Sequence, residues 1–115
     1  MRALIVDDHP SFRRCARALL TDEGFDVVGE AESGTTAIAL ATELDPELIL
    51  LDIQLPDVDG FEVAARLLAS GGERNIVLVS SRDEREYGGL IAASGALGFV
   101  AKSDLSGDTL RSLFK

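Results

Sequence analysis

Short apolar runs alternate with helical stretches along this chain, and four of the runs end in residues equipped for chemistry. Ala3-Leu4-Ile5-Val6 leads into Asp7-Asp8, and Leu48-Ile49-Leu50-Leu51 leads into Asp52. Ile76-Val77-Leu78-Val79 leads into Ser80, and Phe99-Val100-Ala101 into Lys102. Continuous apolar runs of this length suit strands covered on both faces, the condition of a parallel sheet. Right-handed crossovers join such strands, and the ligand crevice forms at their carboxyl ends. A fifth run, Val27-Val28-Gly29-Glu30-Ala31, is more polar and suits an edge. The pattern predicts an α/β fold: a single three-layer, doubly wound domain whose five-stranded parallel sheet, in the order 2-1-3-4-5, is flanked by five helices. The switch point then falls between strands one and three, where Asp7, Asp8 and Asp52 emerge together.

Helix one is expected near Ser11–Glu23, entered by Pro10. Its spacing turns Phe12, Cys15, Ala16, Leu19 and Leu20 inward, which makes Cys15 a buried thiol and puts Arg13, Arg14 and Arg17 on the wet face. Helix two spans residues 34–44 behind a Ser33 cap and stops at Asp45-Pro46. Helix three runs from Gly60 to Ser70, with Phe61, Ala64, Leu67 and Leu68 inward and Gly71-Gly72 closing it. Helix four, near Asp83–Ser94, opens on the capping pair Asp83 and Glu86. It carries Gly88 and Gly89, each costing about 0.8–1 kcal/mol against alanine. The glycine pair either eases rearrangement or admits close packing. The last helix, Ser106–Lys115, looks cut short.

At 115 residues the chain has room for one core. Its net charge of −9 opposes direct contact with nucleic acid or an anionic membrane. A single cysteine excludes an internal disulfide and fits a reducing compartment. No run approaches the roughly 18 apolar residues of a membrane span, and the apolar run after Arg2 is too short for a signal peptide. A cytoplasmic location is expected.

Three carboxylates gathered at one rim repel one another, each pair by about 4 kcal/mol at 4 Å and an effective dielectric near 20. Either their pKa values rise or a cation binds. Hard oxygen ligands suit Mg²⁺, which takes one or two carboxylates together with phosphate oxygens. Lys102 brings a compact positive charge and Ser80 a hydroxyl donor. Such a set stabilises charge on a transferring phosphoryl group, with Asp52 as the nucleophile.

At these residues the chain resembles, over essentially its whole length, the receiver domains of two-component response regulators, which have a flavodoxin-like fold. The resemblance rests on Leu4-Ile5-Val6-Asp7-Asp8-His9, on Leu50 to Gly60, on Val79-Ser80-Ser81 and on Gly95 to Lys102. It implies that Asp52 accepts a phosphoryl group from a phosphohistidine on a sensor histidine kinase or a phosphotransfer protein. Asp8, with Asp7 through water, would hold Mg²⁺, and Asp52 and the backbone carbonyl of Gln54 would complete its protein ligands. Ser80 matches the switching hydroxyl, Phe99 the aromatic that turns inward with it, and Lys102 the lysine that binds the phosphoryl group. Pro56 and Gly60 match the loop that folds back beside the metal. The output would be a conformational change at the face of helix four, strand five and helix five. The implied role is regulatory rather than that of an enzyme, although such a domain assists its own phosphotransfer and dephosphorylation.

Lys102 is followed by Ser103 rather than proline, so no cis peptide is expected there. With the Gly95 to Phe99 run, this is closer to the branch whose receivers precede a helix-turn-helix DNA-binding domain. Residues 1–115 would then be the receiver, with transcriptional output carried beyond the chain. Pairing of two copies, through helices one and five or through the helix-four face, is left open by the residues. Ser81 stands where a small apolar residue is commoner, and His9 reads as a first-turn surface residue rather than a metal ligand. Two rivals share parts of the pattern. A haloacid-dehalogenase-type phosphohydrolase needs an acid two positions after its nucleophile, where this chain has Gln54, and a flavodoxin-type module needs a glycine-rich phosphate loop in place of Asp7-Asp8-His9-Pro10. A receiver-like module that binds partners without phosphorylation would not need the full acidic set.

Overall fold

The computed structural model describes residues 1–71 and 74–114. Five parallel strands, β1 (Arg2–Val6), β2 (Asp26–Ala31), β3 (Leu48–Asp52), β4 (Asn75–Ser80) and β5 (Gly98–Ala101), form one sheet in the order β2-β1-β3-β4-β5. Five helices flank it: α1 (Pro10–Asp22), α2 (Gly34–Leu44), α3 (Gly60–Ala69), α4 (Leu90–Ala93) and α5 (Gly107–Ser112). This is the doubly wound architecture that the apolar runs predict.

Alternation along the strands divides the core into two layers, because successive side chains point to opposite faces. Leu4, Val6, Ile49, Leu51, Ile76 and Leu78 pack against Ala37 and Ala41 of α2 and Val63, Ala64 and Leu67 of α3. Ala3, Ile5, Leu48, Leu50, Val77 and Val79 pack on the other face, against Ala16 and Leu20 of α1 and Leu110 of α5. Local caps fix the helix starts. Ser33 accepts from the Thr36 amide, Asp59 from the Phe61 and Glu62 amides, and Ser106 from the Thr109 amide. Asp45 closes α2 in a left-handed conformation, φ 47°.

Strand register places the site. Val6 lies opposite Leu51, Asp52 opposite Val79, and Ser80 opposite Ala101. Asp7, Asp52, Ser80 and Lys102 therefore leave the sheet along one rim.

Several expectations need correction. Cys15 is exposed rather than buried. The buried line of α1 runs through Ala16 and Leu20, and a step of about 100° per residue carries Cys15 off that line. Arg13 is not on a wet face: its side chain is folded between α1 and β2, with Nε 3.0 Å from Glu30 Oε1 and Nη1 2.6 Å from the Asp7 carbonyl. Arg17 reaches the other Glu30 oxygen at 2.7 Å. The hydrogen bond from Arg17, helped by Arg13, holds the Glu30 carboxyl below its ordinary pKa.

Helix four is not continuous. A 3₁₀ turn, Glu84–Tyr87, is followed by Gly88 at φ 57° and then by the single turn of α4. The capping pair is present, with Asp83 and Glu86 bonded reciprocally. Two adjacent glycines remove the propensity that would carry a helix across them. Gly71 adopts φ 87° after α3, while the Gly72 part of that stop signal, and Lys115 of the last helix, lie outside the described residues. Among the described residues no peptide bond is cis, and no helix is long and apolar enough to cross a membrane.

Candidate functional site

The acidic rim is assembled from two neighbouring strand ends. Asp7, Asp8, His9 and Asp52 each offer one ligand atom, and these atoms lie within 4.8 Å of one another. Asp7 is fully buried and Asp52 is 2% exposed, whereas Asp8 faces solvent. His9, predicted to lie outside the set, is mostly exposed, yet its Nδ1 stands 3.0 Å from both Asp7 Oδ1 and Asp8 Oδ1. Its backbone amide donates to Asp7 Oδ1 at 2.8 Å.

Lys102 reaches in from the end of β5. Its Nζ lies 2.6 Å from Asp7 Oδ2 and 3.4 Å from Asp52 Oδ2, and 4.6 Å from the centre of the Phe12 ring. Burial pushes the Asp52 carboxyl up to about 6, and the Asp7 charge adds to that rise. The Gln54 amide, donating to Asp52 Oδ1 at 3.1 Å, and Lys102 both pull the other way. Three acidic side chains share the rim with one lysine, a surplus of acid over base.

The donor set fits a hard divalent cation. Asp7 Oδ2 is buried and its charge partner is the Lys102 ammonium at 2.6 Å. That single ammonium is shared with Asp52, so the carboxylates of Asp7, Asp8 and Asp52, gathered within 4.8 Å, call for further countercharge. Carboxylate oxygens at this spacing, partly open to water beside Asp8, match the demands of Mg²⁺.

The loop after β3 is held by close backbone approach. The Gly60 amide donates to the Ile53 carbonyl at 2.8 Å, and a Cβ on Gly60 would stand 2.5 Å from Ile53 Cα and 2.6 Å from the Asp52 carbonyl oxygen. Only glycine fits there. Asp57, in the same loop, reaches across to the start of α2. It accepts from the Gly34 amide at 2.8 Å, the Thr35 amide at 3.0 Å and the Thr35 hydroxyl at 2.7 Å. The Thr35 hydroxyl, then the two amides, hold its carboxyl far below the ordinary range. The residues after Asp52 are thus pinned at both ends.

Ser80 is fully buried at the end of β4. Its hydroxyl bonds the Tyr87 hydroxyl at 2.6 Å and accepts from the Arg82 amide at 3.0 Å. Tyr87 stacks edge-on to Phe61 at 5.7 Å and tilted to Phe99 at 6.1 Å. Phe99 is half-buried on β5. The sequence pattern brings Ser80 and Phe99 to the rim but gives no role to Tyr87 between them. The one available signal is an aromatic side chain in an otherwise polar turn, 83–89.

Comparison with known proteins bears on the family and the fold. The model of the response regulator receiver domain family matches residues 3–113. BvgA of Bordetella pertussis, a transcription regulator of virulence factors, is 38% identical over 103 residues, covering 90% of this chain and 49% of BvgA. The response regulator GacA of Pseudomonas aeruginosa is 34% identical, covering 89% of this chain and 48% of its own length. The signal receiver domain of NarL from Mycobacterium tuberculosis superposes with a TM-score of 0.84 at 32% identity, covering 98% of this chain and 95% of that one. The chain thus spans about half the length of the curated relatives it matches.

Proposed function

The chain belongs to the response regulator receiver domain family, and from that premise we propose that Asp52 is its phosphoacceptor in a Mg²⁺-dependent signalling switch. The observation that carries the reading is a carboxylate 2% exposed at a strand end, with Lys102 3.4 Å away and the Asp7 and Asp8 carboxylates beside it. Asp7, Asp8, Asp52 and the backbone carbonyl of Gln54 would hold Mg²⁺. The ion supplies countercharge for the carboxylates and for the phosphoryl oxygens.

The chain's own residues then have distinct tasks. An Asp52 carboxylate oxygen forms a bond to phosphorus as the P–N bond to the donor imidazole breaks, and the imidazole keeps the electron pair. Lys102, now shared between Asp7 and Asp52, turns to an oxygen of the arriving group. Ser80 donates its hydroxyl to another oxygen, and Phe99 follows. The face of α4, β5 and α5 changes shape in response.

The donor is a sensor histidine kinase or a phosphotransfer protein, and the setting is the cytoplasm. BvgA's role in transcription and the greater length of the relatives support a longer parent regulator, in which residues 1–115 are the receiver and DNA is contacted by another domain. Mass spectrometry after incubation with acetyl phosphate and Mg²⁺ tests the central point. One phosphoryl group is gained, and the gain is abolished by EDTA and by Asp52→Asn. Persistent labelling of Asp52→Asn would overturn the assignment.

A further inference from the structure

The Ser80 hydroxyl is now engaged by partners outside the carboxylate cluster. Ser80 has one hydroxyl proton and two acceptor lone pairs. The Arg82 amide occupies one lone pair, and Tyr87 takes either the proton or the remaining lone pair. Neither partner belongs to the carboxylate cluster. A phosphoryl oxygen on Asp52 requires that proton; with Ser80 as donor to Tyr87 the two compete for it, and a charged oxygen is the stronger acceptor.

Tyr87 is well placed to register the loss. Its ring is wedged between Phe61 of α3 and Phe99 of β5. It ends the Glu84–Tyr87 turn, and Gly88 follows at φ 57° with open space where a side chain would be. The turn has no buried residue of its own, so the Tyr87 ring and hydroxyl are its inward attachment.

We infer that Tyr87 is a positioning residue for the switch: its hydroxyl holds Ser80 before phosphorylation, and transfer of Ser80 to the phosphoryl oxygen releases the Glu84–Tyr87 turn. The inference rests on the phosphoacceptor reading of Asp52. Because Tyr87 also packs on Phe99, one exchange of partner moves the turn and the β5 aromatic together.

The chain has one tyrosine and no tryptophan, so its tyrosine absorption band reports Tyr87. Ser80→Ala in the free protein shifts that band. Beryllofluoride with Mg²⁺ shifts it the same way in the unmutated chain, while fluorine NMR separately records bound beryllofluoride. Tyr87→Phe keeps the ring and removes the competing hydroxyl. It tightens beryllofluoride binding about 2- to 10-fold, the range set by one hydrogen bond, and the gain disappears in a Ser80→Ala background. A bound fluorine signal with an unmoved tyrosine band overturns the inference, as does a Tyr87→Phe gain that survives in Ser80→Ala. Either failure leaves Asp52 as phosphoacceptor. Absence of any bound fluorine signal overturns that reading and this one with it.

Discussion

On the β1–β3 side of the rim the backbone itself sets the geometry, whereas on the β4–β5 side two hydroxyls and an aromatic stack do the holding. Gly60 lies against Ile53 and the Asp52 carbonyl with no room for a methyl group, and Asp57 ties the same loop to α2. Across the rim, the segment 81–90 is exposed except for Tyr87, and its helix is broken at Gly88. Regions with few buried contacts open at lower free energy than the core they border. On the proposed reading of Asp52, the contrast separates two demands. Phosphoryl chemistry needs ligands fixed to within a fraction of an ångström, while signalling needs an element with two accessible arrangements.

The comparison breaks most readily at Gly60. Gly60→Ala drives a methyl group into backbone that has nowhere to move, and should cost about 3 kcal/mol or more in urea unfolding. A cost under about 1 kcal/mol would mean that the loop yields and that the stiff side is not stiff. The next effect is electrostatic. Asp52 titrates near 6 when folded, against 3.8 as its ordinary value. The folded protein therefore binds this proton more tightly than the unfolded chain. The stability this gives is complete below the ordinary value and is lost as pH rises through about 6. In Mg²⁺-free buffer Asp52→Asn should exceed the unmutated chain by about 3 kcal/mol at neutral pH, with the margin closing toward about pH 4. Added Mg²⁺ should recover more stability in the unmutated chain than in the variant, which keeps Asp7 and Asp8 but loses one carboxylate. A margin independent of pH would remove burial of the charge as its cause.

How far the sequence foretold these two sides follows the same division. β1, β3 and β4 were legible because strands covered on both faces leave continuous apolar runs, and their polar ends gave the rim. Ser33 and the Asp83–Glu86 pair were legible because caps are local. Cys15 was misplaced because the edge of an amphipathic stripe is one residue wide, and α1 packs on the line through Ala16 and Leu20. Arg13 was misread because its partner, Glu30, lies on a different element. Tyr87 was missed for the same reason: its meaning comes from Ser80 and two rings brought together by the fold. Likewise Asp57 stands inside a recognisable motif, but its partners at Gly34 and Thr35 come from another helix.

A smaller effect tests that cross-loop tie. Asp57→Asn keeps the shape and removes the negative charge at the start of α2, where helix amides favour an anion. The urea midpoint should fall at neutral pH. Because the folded carboxyl is held below its ordinary range, its contribution is present above about pH 4 and fades as pH falls further. The difference between the two proteins should narrow in acid. If the gap widened there instead, the carboxylate would not be the source of the tie.

The smallest effect, of opposite sign, is expected on the compliant side. Gly89 has φ −83° and nothing within 4 Å of where a methyl group would sit, so alanine fits without strain. Gly89→Ala should stabilise by about 0.4–1 kcal/mol, chiefly by restricting the unfolded chain. Its neighbour supplies the control. Gly88 also has open space, but at φ 57° and ψ −130° an L-residue is strained, so Gly88→Ala should destabilise although nothing is crowded. Opposite signs at adjacent, equally exposed positions would show that backbone conformation, not packing, governs this segment, whereas at Gly60 packing against backbone decides the outcome. Two changes of the same sign would erase that distinction.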